Sequence, residues 1–392
     1  MATSLSSLHR TLRKRLTTRE LARLAGRLAA ATPGVGNALG LAVEGATYAQ
    51  AATRVLSVTD YDEPFAIDAV NARFLDVYRD ALGPLWKDGV LHVAARVGVY
   101  GIADGEIRMA SGVLRRRSDG RLLTTDRVED RLRAQRPTWH RRHRHIAGSV
   151  LPLAGSPTGR GNYYHMLCER FRLTLHALAK VPELRRATLV VREDVPGYHR
   201  AFQDMLRAAY PALAIEAVGT DVLVTCDELV VAQREDAHEV GHFAGREDFR
   251  ALRAGYRSVY GIADIEPSRH IYLSRAGVKK RHILNEDAVL AALAPWDFEV
   301  VAPETMSHRD QVAMFGEAAL IVGPSGAAFT NLVFATPGAK VVEICAPDIQ
   351  EAHFIAGALQ AGLAFRHVFG EPTKLYECFE VDPEAVRAAV EG

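Results

Sequence analysis

Short stretches of this sequence gather residue types that move protons or hold oxyanions. NYYHMLCE (162–169) places His165 and Glu169 four residues apart, a spacing that puts both side chains on one helical face. Such a pair is an acid–base site when a substrate hydroxyl lies near it, and a helix-surface ion pair otherwise. YLSRAGVKKRHILNED (272–287) brings Ser274, Arg275, Lys280 and Arg281 to a loop between a strand and a helix, where they suit phosphate oxygens. Asn285 stands at a helix-capping position, ahead of Glu286 and Asp287, which the helix dipole favours. GPSGAAFTN (323–331) contributes Gly323, Ser325, Gly326, Thr330 and Asn331. This is material for a tight turn, and equally for a loop whose N–H groups face an anion. Glu343 ends the next apolar run.

Three further patterns compete with these. HEVGHFAGRED (238–248) satisfies HExxHxxGxxD, the spacing of a zinc peptidase with His238, His242 and Asp248 as ligands and Glu239 as general base. Gly241 and Gly245 weaken any helix there. The next helix is expected to start at Arg246, which puts Asp248 in a first turn where acids are common. Loop histidines without a metal are the preferred reading, with the zinc peptidase as an alternative. DYD (60–62) fits the DxD pattern of metal–nucleotide binding, but three common residues recur by chance. HRRHRH (140–145) reads as a solvated or phosphate-facing turn, since no aromatic residues interleave it for nucleic-acid contact.

The 392 residues allow two domains, and 48% hydrophobic with 24% charged residues is a globular balance. A net charge of +1 gives no electrostatic case for nucleic-acid binding. The charge is uneven, because residues 8–27 hold seven Lys or Arg against one Glu at helical apolar spacing. That segment reads as a basic amphipathic helix, packed on the body or touching anionic lipid headgroups. Cys168, Cys226, Cys345 and Cys378 form no CxxC pair and suit a reducing compartment. The longest uncharged run, 28–43, is too short for a membrane span and is broken by Pro33, Gly34, Gly36 and Gly40. A cytoplasmic protein is expected.

The patterning predicts a helical segment over 1–50, an antiparallel meander over 85–125 with a turn at ADGE, and then strict alternation of strands and helices. Alternation of this kind means parallel sheets covered by helices. A break near 262–268 divides the α/β region, so two Rossmann-like halves facing a cleft are expected. The first (51–262) would be the acceptor side and the second (263–392) the donor side.

NYYHMLCE, SRAGVKKRHILNE, PETMSHRDQVAMFGEAALIVGPSGAAFTNLVF and PGAKVVEI, in this order over residues 160–346, resemble glycosyltransferase family 61. Members show NYYHW, SR…R…NE, and GPHGAGLTN followed by a strand ending in Glu; the meander fits the bacterial surface-polysaccharide kind. The resemblance implies a GT-B-type fold and an inverting transferase that takes a nucleotide-sugar donor, commonly a UDP-sugar, and works without a metal or other cofactor. It implies a glycan or lipid-linked saccharide acceptor, which would suit a peripheral place on the inner face of the membrane. By the same resemblance Arg275 and Arg281 contact the diphosphate. Gly323, Gly326, Thr330 and Asn331 form the donor loop, Glu343 meets the ribose, and His165 and Glu169 serve the acceptor. Two positions depart from the pattern: Ser325 stands where members carry His, and Met166 where they carry Trp. The first leaves a nucleotide-sugar-binding homologue without transfer as a further reading.

Overall fold

The computed structural model describes residues 45–123, 140–153, 162–235, 239–278, 281–345, 352–373 and 378–392. The basic segment 8–27, the glycine-rich loop 155–161, His238 and Lys280 lie outside the described residues.

The first half builds a ten-stranded mixed sheet. Its strands are β1 (Gly45–Ala46), β2 (Arg54–Ala66), β3 (Trp86–Lys87), β4 (Val90–Arg108), β5 (Val113–Arg116), β6 (Leu122–Leu123), β7 (Arg142–Pro152), β8 (Thr188–Arg192), β9 (Ala214–Val218) and β10 (Val222–Arg234). The order is β1-β6-β5-β4-β10-β7-β8-β9, with β2 and β3 also on β4. β7 pairs in parallel with both β10 and β8, and β8 with β9, whereas β4 runs antiparallel to β2, β5 and β10. The expected Rossmann-like half is therefore a mixed sheet, in which the strands of the antiparallel meander and the parallel strands β7 to β10 are joined.

The antiparallel meander is present as β4, β5 and β6, but its first turn is corrected. ADGE lies inside β4 rather than at a turn. Asp104 adopts φ 56° there, and a Cβ on Gly105 would stand 2.5 Å from the Leu229 Cβ, so these turn-type residues serve an irregularity and a close strand approach. Leu91, Val93, Val97 and Val99 are fully buried at period two, which keeps the long strand on the core. HRRHRH is not a turn either: Arg142–His145 open β7, where His143 and His145 each lie 3.2 Å from Thr225 Oγ1. The acids of DYD are surface partners, Asp60 of Arg96 and Asp62 of His92.

Eight helices matter for the packing: α1 (Ala69–Val77), α2 (Arg172–Lys180), α3 (Gly197–Ala209), α4 (Arg246–Tyr260), α5 (Glu286–Ala292), α6 (His308–Glu317), α7 (His353–Ala361) and α8 (Pro383–Glu391). Ser307 caps α6 by accepting from Asp310 N at 3.2 Å, the chemistry that its SxxD spacing provides.

The second half is a five-stranded parallel sheet of β11 (Arg269–Leu273), β12 (Glu299–Val301), β13 (Ala318–Pro324), β14 (Lys340–Cys345) and β15 (Ala364–Phe369), in the order β12-β11-β13-β14-β15. Counted within this half the order is 2-1-3-4-5, so the winding reverses between β11 and β13. Open sheets of this kind bind ligands in the crevice beyond the carboxyl ends of the strands at that reversal. Ser274 and Arg275 follow β11, and Ser325 and Gly326 follow β13. β13 approaches β11 closely here, since a Cβ on Gly323 would stand 2.7 Å from the Leu273 carbonyl oxygen. Val289 of α5 and Val386 and Val390 of α8 cover one face against Tyr272, Val322 and Val342.

On the other face a single apolar core crosses both halves. Phe171, Phe202, Phe243, Leu252 and Tyr256 from the first half pack in one cluster with Phe315, Ile321, Phe329, Phe334 and Phe365 from the second. Fully burying each large side chain contributes on the order of 2–3 kcal/mol. The two sheets, joined by the coil 262–268, are thus held in a fixed relation.

Candidate active site

The first half-site stands on the helix over 163–180. Asn162 accepts from Tyr164 N at 3.1 Å and caps it. Tyr163–His165 open the helix, Met166–Phe171 form a π turn, and α2 continues it. In the π turn the Arg172 N–H reaches back to the Leu167 carbonyl, five residues earlier, which changes the angular spacing of the side chains around it. Met166, Leu167, Cys168 and Phe171 are buried, leaving His165 and Glu169 partly accessible with 21% and 18% of their side chains exposed.

Glu169 Oε1 lies 3.0 Å from His165 Nδ1 and 3.1 Å from His242 Nε2, and His242 Nδ1 lies 2.7 Å from the Tyr164 hydroxyl. The Tyr164 O–H donates to His242 Nδ1, so His242 Nε2–H donates to the carboxylate. His165 donates its Nδ1–H to the same oxygen. The lone pair of His165 is then on Nε2, which has no hydrogen-bond partner among the described residues. Burial pushes the Glu169 carboxyl up, and the hydrogen bonds from His165 and His242 outweigh it, holding the group well below the ordinary carboxylate range. Burial pushes His242 down to about 4 against the pull of Glu169, so this imidazole is neutral at pH 7.

A second chain of hydrogen bonds ties this helix to the other half. Tyr163 OH donates to Asn331 Oδ1 at 2.6 Å and lies 2.9 Å from His308 Nε2, whose Nδ1 lies 2.8 Å from Tyr260 OH. Asn331 Nδ2 donates to Gln311 Oε1 at 2.9 Å, and Gln311 Nε2 to the Pro303 carbonyl at 2.8 Å. Every donor has an acceptor if Tyr260 O–H gives to His308 Nδ1 and His308 Nε2–H gives to the Tyr163 oxygen. Burial holds His308 neutral, down to about 4. Asn331, expected in the donor loop, is fully buried and serves as the joint between the two half-sites.

The second half-site is the crevice beyond β11 and β13. The Arg275 guanidinium lies against Gly326, where any Cβ would collide with it. Arg281 takes φ 57°, a left-handed conformation that non-glycine residues rarely adopt. Ser325 is 2% exposed; its N–H donates to the Ile344 carbonyl at 2.8 Å, and its Oγ is buried without a partner among the described residues. Thr330 Oγ1 is in the same state. Other expected members are engaged structurally. Ser274 Oγ donates to Glu286 at 2.9 Å. Asn285 does not cap α5 with its side chain; it pairs with the Val381 backbone through both amide atoms, at 2.8 and 3.1 Å. Glu343 is 1% exposed, within β14 rather than at its end, and faces His367 of β15 at 3.4 Å. Its Oε1 is buried without a partner among the described residues.

HEVGH is not a metal-binding helix in the described residues. Glu239–Phe243 form a 3-10 turn, both ring nitrogens of His242 are hydrogen-bonded, and Asp248 faces buried Arg172 at 3.5 Å and His176 at 3.3 Å. The histidine singled out for a zinc pattern is instead the second partner of Glu169. Tyr163 and Tyr164, which directly precede His165 in NYYHMLCE, are not distinguished as functional by sequence pattern alone.

The buried neutral histidines predict a pH response. Burial pushes His199 and His242 to about 4, and their folded values lie below the unfolded 6.5. Unfolded chains then bind more protons, so stability is fully present above pH 6.5 and falls as pH drops from there toward 4. Each contributes a slope of up to about 1.4 kcal/mol per pH unit. Glu169, held low, adds a loss in the same direction at still lower pH. Thermal melts should show Tm falling steadily from pH 6.5 to 4.5; a flat Tm over that range would contradict the neutral-histidine assignment.

Comparison with known proteins bears on the same region. Residues 163–342 match the model of the Glycosyltransferase 61 family. A beta-1,2-xylosyltransferase of Arabidopsis thaliana is 28% identical over 142 residues, covering 31% of this chain and 26% of that protein. The chain thus spans about a quarter of the length of the curated relative it matches. The matched segment opens at Tyr163, runs through the His165–Glu169 helix and the crevice loops, and ends within β14. The segment that carries the His165–Glu169 helix and the crevice loops is thus similar to glycosyltransferase family 61.

Proposed function

We propose that this chain is an inverting glycosyltransferase that moves a sugar from a nucleotide donor, UDP-linked, to a hydroxyl of a glycan or lipid-linked saccharide. The observation that carries this reading is the Glu169 carboxylate on His165 Nδ1, which leaves Nε2 as a base on a helix docked against the Gly-rich crevice. In the reaction the acceptor O–H gives its proton to His165 Nε2 as its oxygen attacks C1 of the donor sugar. The C1–O bond to the diphosphate breaks, and its electron pair leaves with the diphosphate, so the configuration at C1 inverts. Glu169 keeps the imidazole in the reactive tautomer and stabilises the imidazolium that forms, the part a carboxylate plays in hydrolase triads. Arg275 and Arg281 carry the charge of the departing diphosphate, with Lys280 and the N–H groups of the 323–331 loop other than those of Ser325 and Phe329, which are given to backbone carbonyls. Guanidinium groups and backbone dipoles supply that stabilisation without a metal ion. On this reading the molecule is a GT-B-type variant whose mixed sheet takes the acceptor side, and the basic segment 8–27 holds it at an anionic inner membrane surface.

A panel of nucleotides and nucleotide sugars in thermal-shift assays tests the donor class before any acceptor is known. UDP and one or more UDP-sugars should raise Tm, and mixtures with acceptor should release UDP. A panel in which no nucleotide raises Tm would sink the proposal.

A further inference from the structure

Away from the crevice, the described residues line a half-open pocket of about 240 Å³ between α4 and the second half. Arg246, Arg250 and Arg253, on successive turns of α4, line one wall, and Pro337, Gly362 and Gln360 belong to the other. Pro337 and Gly362 precede β14 and β15, so this cavity is at the amino ends of those strands, opposite the carboxyl-end crevice. Among the described residues no carboxylate lines it.

The arginines are charged groups with little charge to meet. Arg246 donates to the neutral Gln360 at 3.2 Å and stacks over Phe65, and Arg253 donates to the Thr336 hydroxyl at 3.2 Å. Among the described residues the Arg250 guanidinium pairs with Glu247 at 2.7 Å in an exposed pair, where ion pairs contribute little, and Glu63 meets the Arg246 backbone N–H and the Gln360 amide rather than a guanidinium. Burial lowers the pKa of Arg253 and neighbouring Arg257 adds to this, against the opposing pull of Asp264. Seven residues of helix separate Arg246 from Arg253, a span of about 10 Å, wider than a single carboxylate.

We propose that this cavity is a second oxyanion site, for a phosphate or diphosphate group, whose occupant bridges α4 to the second half and tightens the relation of the two sheets. Guanidinium forks meet phosphoryl oxygens in bidentate geometry, and three of them around one cavity match a diphosphate better than a carboxylate. The site is distinct from the donor reading, because its lining includes neither His165 nor Arg275, Ser325 or Gly326.

Inorganic pyrophosphate, inorganic phosphate and glucuronate, titrated into the full chain by calorimetry and thermal shift, test the proposal. Pyrophosphate should raise Tm by a few degrees and bind more tightly than glucuronate. Arg253→Gln keeps a hydrogen bond to Thr336 and should weaken it about tenfold. Arg250→Glu, at an exposed position that leaves the fold intact, should do the same or more. Arg275→Ala should leave this binding as it is. The proposal fails if pyrophosphate does not bind, if binding survives both α4 variants, if it is lost in Arg275→Ala, or if glucuronate binds equally well.

Discussion

His165→Ala is expected to lower kcat for sugar transfer by about 10²–10⁴-fold, the range that a positioned general base contributes, while donor affinity stays near that of the unaltered protein. The expectation rests on one contact, Glu169 Oε1 to His165 Nδ1 at 3.0 Å, which fixes the tautomer and leaves Nε2 for the acceptor proton. Glu169→Gln should produce a smaller kcat loss than His165→Ala, because the ring survives but its tautomer and its imidazolium lose their support. It should also move the pH–rate profile, a change that a purely structural role for Glu169 would not make. Steady-state kinetics with saturating donor separates these outcomes. Equal turnover of His165→Ala and the parent protein would remove His165 from the mechanism.

Arg275→Ala is expected to cost about 10²–10³-fold in kcat/KM, the usual loss when one charge-stabilising contact to a developing anion is removed. Arg275 follows β11 at the winding reversal, and its guanidinium lies over Gly326 of the neighbouring loop. Gly326→Ala tests the same geometry without removing the charge. Its Cβ would displace the guanidinium, a flexible group, rather than backbone, so the fold should persist while kcat/KM falls in the direction of the Arg275→Ala loss. Full activity in both variants would move the leaving-group site elsewhere.

The sequence disclosed the second half of this molecule better than the first, for physical reasons. β13 is a continuous apolar run and α6 before it opens on a clear cap at Ser307, so periodicity and turn chemistry agree there. In the first half the same signals conflicted. ADGE has turn composition but lies within β4, because pairing along β2 and β10 overrides local preference. HRRHRH looked like a loop, yet its side chains alternate along the exposed start of β7.

At the site, His165 and Glu169 were legible because an i, i+4 pair is a local pattern. Their third partner was not, since His242 is 73 positions beyond Glu169 and reaches it only through tertiary packing. The π turn was likewise invisible, because nothing in MLCERF by composition distinguishes a π turn from an α turn. Asn331 and Asn285 carry side chains suited to ligand contact, yet both already meet protein partners, whereas Glu343 faces His367 with its Oε1 unpartnered among the described residues. Ser325 is a separate matter. At 2% exposure it sits beneath the loop, so Ser325→His would overpack the site at a cost of about 1–3 kcal/mol rather than install a donor contact.

The central claim is a division of labour, with proton transfer at His165 and diphosphate binding at Arg275. Calorimetric titration of UDP into the parent protein, His165→Ala and Arg275→Ala measures it most directly. The account predicts that His165→Ala binds UDP as the parent does and that Arg275→Ala binds it at least about tenfold more weakly. UDP affinity that falls with His165 and is untouched by Arg275 would contradict it.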